Sequence, residues 1–317
     1  MNISYIIFLI VIPFIVIGIL FVSWLIARFL CKPKRHLPNK IPADFDLPYQ
    51  DINFRSGKTK IRGWFIPVSY SIQNKPVIIL NHGWSSNSSR LLHLAKKFHN
   101  AGFSVLLYDS RGHGRSDSNG PITLLKFAED IISAIDFLYR NFLIDYSGIG
   151  VFGHSMGGSA GILAASMDPR IKALVSCSAF DDPKLISTNF LRCLKIPRFL
   201  IGLNFVFINK WLGKPIESIA PINIINKITK PILLVHGSND RIVSPKNLER
   251  LYQFSIKDRT KKLILPGRDH RNIIQDEEFA ESVIMFFKKN LKFKNELRVF
   301  DDNTKFISNS KNLKYGT

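Results

Sequence analysis

A serine set between two glycines, Gly153-His154-Ser155-Met156-Gly157, is the segment of this chain best suited to covalent chemistry. A serine hydroxyl is a weak nucleophile at neutral pH. It needs a base to take its proton, and the base needs an acid to fix its tautomer. The segment follows the apolar run Ile149-Gly150-Val151-Phe152 and precedes a small-residue helical pattern from Gly158 to Met167. Strand, sharp turn and helix form the context in which a G-x-S-x-G turn presents its hydroxyl at the carboxyl end of a sheet. The flanking glycines keep side chains clear of a strained serine backbone.

Both partners follow in chain order. Ile232-Leu233-Leu234-Val235-His236-Gly237-Ser238-Asn239-Asp240 reads as a strand and a turn ending in an aspartate. Leu263-Ile264-Leu265-Pro266-Gly267-Arg268-Asp269-His270 reads as the next strand and a loop carrying a histidine. Both loops leave the sheet edge that carries the serine, so Ser155, Asp240 and His270 can converge. Asp181 and Asp182, which follow the preceding strand, compete with Asp240 for the acid role. Asp269 does not, because neighbouring side chains diverge. A tetrahedral intermediate also needs oxyanion donors. The backbone N–H of Met156, directly after the serine, is one. The N–H of Trp84, in the loop Asn81-His82-Gly83-Trp84-Ser85, is the other, with Gly83 allowing close approach. The cluster from Asp109 to Ser116, Asp-Ser-Arg-Gly-His-Gly-Arg-Ser, lacks both glycine-rich phosphate-binding patterns and reads as a structural turn, with His113 a satisfied loop histidine.

These residues need a scaffold, and the apolar pattern supplies one. Two short strands flank the turn Ser56-Gly57-Lys58. Strand-like runs at 77–80, 105–108, 149–152, 173–176, 232–235 and 263–265 then alternate with helical patterns at 90–101, 123–140, 157–167, 245–254 and 277–290. That alternation predicts an α/β fold with a mostly parallel sheet covered on both faces. Residues 181–228 break it. Their large apolar residues, Phe199, Phe205 and Trp211 among them, predict an inserted helical cap over the serine, forming an apolar cleft for an acyl chain, with extra core packing as the rival reading. The hydrolytic domain is expected over 49–290.

Ile3 to Leu30 is almost unbroken apolar sequence, long enough to span a bilayer core of about 30 Å. It lacks the positive start and small-residue cleavage site of a signal peptide, so residues 1–30 read as a single-pass transmembrane anchor. Lys32, Lys34, Arg35 and Lys40 follow within a linker, 31–48, and by the positive-inside rule they predict a cytoplasmic domain. Residues 291–317 read as a polar, basic tail. The net charge of +20 suits an anionic membrane surface. No Cys/His finger spacing points to nucleic acid. Three cysteines, Cys31, Cys177 and Cys193, in irregular spacing argue against a disulfide framework or a zinc site.

Taken together, Asn81-His82-Gly83, the 109–116 turn, the serine turn, Asp168-Pro169-Arg170-Ile171-Lys172-Ala173, His236 to Asp240 and Gly267 to His270 resemble the α/β-hydrolase superfamily over about residues 52–290. The set is most similar to its serine aminopeptidase-like and monoacylglycerol lipase-like branch. The resemblance implies Ser155 as nucleophile, Asp240 as acid and His270 as base. It also implies hydrolysis of an ester, thioester or amide with no metal or organic cofactor. Arg268 departs from the small residue usual at that position. The anchor and apolar cap favour lipid-like esters. A peptidase or amidase of the same fold is the alternative, and a non-catalytic hydrolase-fold binding protein is a third reading. Ser155 excludes the dehalogenase and epoxide-hydrolase chemistries, which need aspartate at the turn.

Overall fold

A computed structural model describes residues 10–68, 76–141 and 148–291. The tail expected over 291–317 lies, from 292 onward, outside the described residues, as does the start of the expected anchor, residues 1–9.

One eight-stranded sheet organises the chain. Its strands are β1 (Gln50–Ser56), β2 (Thr59–Ile66), β3 (Val77–Asn81), β4 (Ser104–Asp109), β5 (Ile149–His154), β6 (Ala173–Cys177), β7 (Ile232–Gly237) and β8 (Thr260–Leu265). They lie in the order β1-β2-β4-β3-β5-β6-β7-β8. The β1–β2 and β2–β4 pairs are antiparallel, and every other pair is parallel. Strands β3 to β7 are buried on both faces, which is why they read as continuous apolar runs rather than alternating ones. Alternate side chains enter two separate cores. Ile79, Val151, Leu174 and Leu234 meet α3 (Leu124–Asn141) and α4 (Met156–Met167), while Leu80, Phe152, Val175 and Val235 meet α2 (Leu92–Asn100) and the C-terminal helix Glu277–Asn290. This is a helix–sheet–helix sandwich, and the strand order reverses around β3, placing the first two crossover turns beside each other at the sheet's carboxyl end.

Residues 181–228 are largely helical. They form α5 (Pro183–Cys193), α6 (Arg198–Leu212) and three short 3₁₀ turns before β7. Their apolar side chains have a different partner from the expected one. Helix α6 buries Ile201, Phe205 and Ile208 and lies against α1 (Ile12–Leu30), whose small residues Ser23 and Ala27, one turn apart, are fully buried. The rings of Phe29 and Phe190 stack with centroids 6.4 Å apart, joining α1 to α5 as well. Part of the insertion's apolar surface is thus used on α1 and the core, while Leu194, Phe199 and Val206 stay exposed.

Helix α1 is long and apolar enough to cross a membrane. Its 19 residues extend about 28 Å at the α-helical rise. Apart from the stripe that meets α6 it exposes apolar side chains, Phe14, Ile17 and Phe21 among them. Between α1 and β1 the linker is tied to the domain. Ile122 N–H donates to the Cys31 carbonyl (2.8 Å), Lys34 N–H donates to Ser85 Oγ (3.0 Å), and Asn87 Nδ2 donates to the His36 carbonyl (3.0 Å).

Candidate active site

The turn between β5 and α4 holds Ser155 at φ 55° and ψ −120°, a region that side-chain-bearing residues rarely occupy. The surrounding structure enforces it. Ser155 N–H donates to the Cys177 carbonyl of β6 (2.8 Å), and Ser159 N–H donates to the Ser155 carbonyl (3.0 Å). The glycines are required by close approach rather than by their own angles. A Cβ on Gly153 would strike the Gly157 carbonyl, and one on Gly157 would lie 2.6 Å from the His82 carbonyl. The β3–α2 loop therefore packs directly on the start of α4.

Two further loops converge on this turn. His270 Nε2 lies 3.0 Å from Ser155 Oγ, and His270 Nδ1 lies 2.7 Å from Asp240 Oδ2. The three side chains named from the sequence form one continuous hydrogen-bonded line. The Asp240 carboxylate is fixed from several directions. Its Oδ1 accepts from the N–H groups of Ile242 (2.9 Å) and Val243 (2.8 Å), while His236 Nε2 lies 3.2 Å from Oδ2 and 2.8 Å from the Val243 carbonyl. Burial pushes this carboxyl's pKa up, but the hydrogen bonds from His236 and His270 outweigh it and hold the group well below the usual carboxylate range. The acid therefore stays ionised beside the imidazole.

The competing carboxylates have other partners. Asp181 forms an ion pair with Arg250, with Nη2 2.9 Å from Oδ1. Asp182 caps α5, accepting from Lys184 N–H at 2.7 Å. Asp269 accepts from the N–H groups of Arg271 (2.7 Å) and Asn272 (2.8 Å) in its own turn. Arg268, the departure noted in the sequence, pairs with Asp276 at 2.6 Å.

The expected oxyanion donors lie on the two segments that meet at Gly157. Met156 is the first residue of α4, so its N–H has no acceptor within the helix. Trp84 N–H has no acceptor among the described residues. Gly83 brings that loop in so tightly that a Cβ there would sit 3.1 Å from Ser155 Cβ. The loop is braced from behind by the 109–116 turn. His82 Nδ1–H donates to the Gly83 carbonyl (2.8 Å) while Nε2 accepts from Ser110 N–H (3.0 Å). His113 Nε2 accepts from Ser85 N–H (3.1 Å) and its Nδ1–H donates to the Arg111 carbonyl (3.0 Å). Burial, followed by the neighbouring His82, lowers the His113 pKa to about 3, so it is a neutral, fixed acceptor.

Sequence reasoning passed over two histidines. His154 Nε2–H donates to the His270 backbone carbonyl (2.8 Å), linking the serine turn to the histidine loop. Burial, then the His270 charge, lowers the His154 pKa to about 3 against that hydrogen bond, with Arg90 contributing to the decrease. His236 grips the acid. Both stand inside motifs already singled out, immediately before the serine and four residues before the aspartate, and those positions were the available signal.

Ser155 and His270 open into a cavity of about 400 Å³. It is walled by Trp84, Asn87, Arg90 and Ile274, and by His36 from the linker. No residue of the 181–228 insertion lines it, so the expected Phe- and Leu-lined roof over the serine is not what this cavity shows. Among the described residues no cluster of three or more His, Cys, Asp or Glu side chains could hold a metal ion.

Residues 72–221 match the family model described as serine aminopeptidase, S33. An uncharacterized 31.7 kDa protein of Escherichia coli is 37% identical over 131 residues, covering 41% of this chain and 46% of that one. A thiohydrolase of Arthrinium phaeospermum is 37% identical over 111 residues, covering 34% and 36%. The matches thus span less than half the length of these two relatives. Among solved structures, the esterase Pf2001 of Pyrococcus furiosus superposes with a TM-score of 0.65 at 24% identity, covering 82% of this chain and all of that one. At that identity the likeness speaks to the fold alone. The structural likeness over 82% of the chain gives it the α/β-hydrolase fold, and residues 72–221 within that fold are similar to the serine aminopeptidase family.

Proposed function

We propose that this protein is a membrane-anchored serine hydrolase that cleaves ester or thioester bonds of lipid-like acyl substrates through an acyl-enzyme. The observation that carries the reading is the line from Ser155 Oγ through His270 to Asp240, with contacts of 3.0 and 2.7 Å. In the first half-reaction Ser155 Oγ attacks the acyl carbon and its proton passes to His270 Nε2. The N–H groups of Trp84 and Met156 receive the negative charge that develops on the acyl oxygen. Collapse of the intermediate breaks the bond to the leaving alcohol or thiol, which takes the proton from His270. Water then enters, gives a proton to His270 and releases the acid, with Ser155 regaining its proton. Asp240 keeps Nδ1 protonated and steadies the imidazolium throughout.

Helix α1 supports the anchoring part, and the basic residues Lys32, Lys34, Arg35 and Lys40 favour a cytoplasmic domain beside an anionic lipid surface. His36, six residues beyond the end of α1, contributes to the cavity wall, which favours a site close to the anchor. The thiohydrolase relative favours including thioesters. The family description favours an aminopeptidase as the second reading, but that activity calls for a carboxylate to hold the substrate's free amine, and among the described residues no Asp or Glu lines the cavity. Full-length protein in non-ionic detergent, assayed on acyl esters, acyl thioesters and aminoacyl amides beside Ser155→Ala, tests the assignment. Ser155-dependent turnover of the first two classes is the expected result. Turnover confined to aminoacyl amides would replace this reading with the peptidase.

A further inference from the structure

The cavity in front of Ser155 has a one-sided charge that hydrolysis alone does not require. Arg90 enters it from the 3₁₀ turn at Ser88–Leu91, and Arg271 follows His270 directly. Among the described residues no carboxylate lines the cavity, although Asp269 accepts from the Arg271 N–H at 2.7 Å. Other arginines close to the same loops are neutralised, Arg268 by Asp276 and Arg250 by Asp181. The guanidinium groups of Arg90 and Arg271 have no hydrogen-bond or ion-pair partner among the described residues, although the backbone N–H of each is engaged. His36 and Asn87 add polar surface to the same wall. A cavity shaped for a plain alkyl ester would have no use for two unpaired guanidinium groups in the wall that also holds Ser155. Both residues are exposed to solvent, and guanidinium binds carboxylate and phosphate oxygens in a two-pronged geometry.

We infer that Arg90 and Arg271 form a subsite for an anionic substituent, so the preferred substrate is an ester or thioester that carries a carboxylate or phosphate close to its scissile bond. The inference rests on the proposed hydrolytic role of Ser155 and names the substrate class for that site. The anion can come from either side of the bond: a carboxylate on the acyl part, or a phosphate on the leaving group, as in an acylated glycerol phosphate.

Two matched substrate pairs separate these sources, assayed with the full chain in non-ionic detergent. The first pair is 4-nitrophenyl hexanoate and the mono-4-nitrophenyl ester of adipic acid. The second is a 1-acylglycerol and the same 1-acylglycerol bearing a 3-phosphate. The readout is the ratio of kcat/KM for the charged member to that for the neutral one. The wild type should favour the charged member of at least one pair, and the favoured pair identifies the source. Arg90→Gln and Arg271→Gln should each lower that ratio about tenfold, mainly through KM, as expected for loss of a charge-assisted hydrogen bond. Arg90→Lys should recover part of it, and added salt should erode it. Thermal unfolding of each variant checks that its fold is kept. A wild-type preference for the neutral member of both pairs, or a ratio unmoved in the double glutamine variant, would overturn the subsite and leave the hydrolase intact. If the folded wild type turned over none of the four compounds, subsite and hydrolase would fall together.

Discussion

Asp240 accepts four contacts on two oxygens, and that explains how a carboxylate buried at the end of a strand remains charged. Asp240→Asn keeps the shape but reverses the hydrogen bond to His270, favouring the wrong tautomer. Its kcat should fall by about 10³- to 10⁴-fold with little change in KM. A silent Asp240→Asn would return the acid role to Asp181 or Asp182. The buried histidines make a separate prediction about stability. His113 and His154 have folded pKa values of about 3, against about 6.5 in the unfolded chain. Between those values the unfolded state binds more protons, so their effect is a loss of stability as pH falls below about 6.5. Asp240 works in a lower window, because a depressed carboxyl pKa loses its contribution only as pH drops below about 3.9. Urea unfolding from about pH 7 to about pH 5 should therefore show falling stability, with a shallower slope in His113→Gln. Equal slopes would show that His113 is not held neutral by the fold.

At the scale of elements, the serine turn depends on how closely three backbone segments meet. Gly157→Ala would press a methyl group onto the Asn81 and His82 carbonyls. It should cost about 1–3 kcal/mol of stability and lower kcat by shifting Trp84 N–H away from the oxyanion. Unchanged unfolding and kcat would contradict that packing. The parallel strands were legible because burial on both faces writes continuous apolar runs, and the three converging residues because each follows such a run. The role of residues 181–228 was not legible. Apolar periodicity says that α6 has a buried face, but not that Ala27 and Ser23 of α1 cover it. The clamp made by His154 was hidden for a related reason: it depends on the His270 carbonyl, brought in by a distant turn. His236, by contrast, closes on Asp240 and the Val243 carbonyl in the turn that follows it. Linker residue His36 reads as loop, and only tertiary folding places it at the cavity wall.

For the whole molecule, α1 both packs on the domain and carries the apolar surface suited to a bilayer. Lateral packing against α6, together with the bonds at Cys31 and Lys34, fixes how the domain would stand relative to such a membrane. The account predicts that the protein sediments with membranes and stays there through alkaline carbonate, whereas release by carbonate would show that α1 serves only as a core helix. The excess positive charge, +20, should add an ionic-strength-dependent preference for anionic vesicles.

The central claim, that Ser155 is an activated nucleophile, has a direct measurement: intact-mass analysis and peptide mapping of the full chain after reaction with a fluorophosphonate. The account predicts a single covalent adduct on Ser155, absent in Ser155→Ala and strongly slowed in His270→Ala. A folded wild type that forms no adduct, or one that forms it on another residue, would contradict the account.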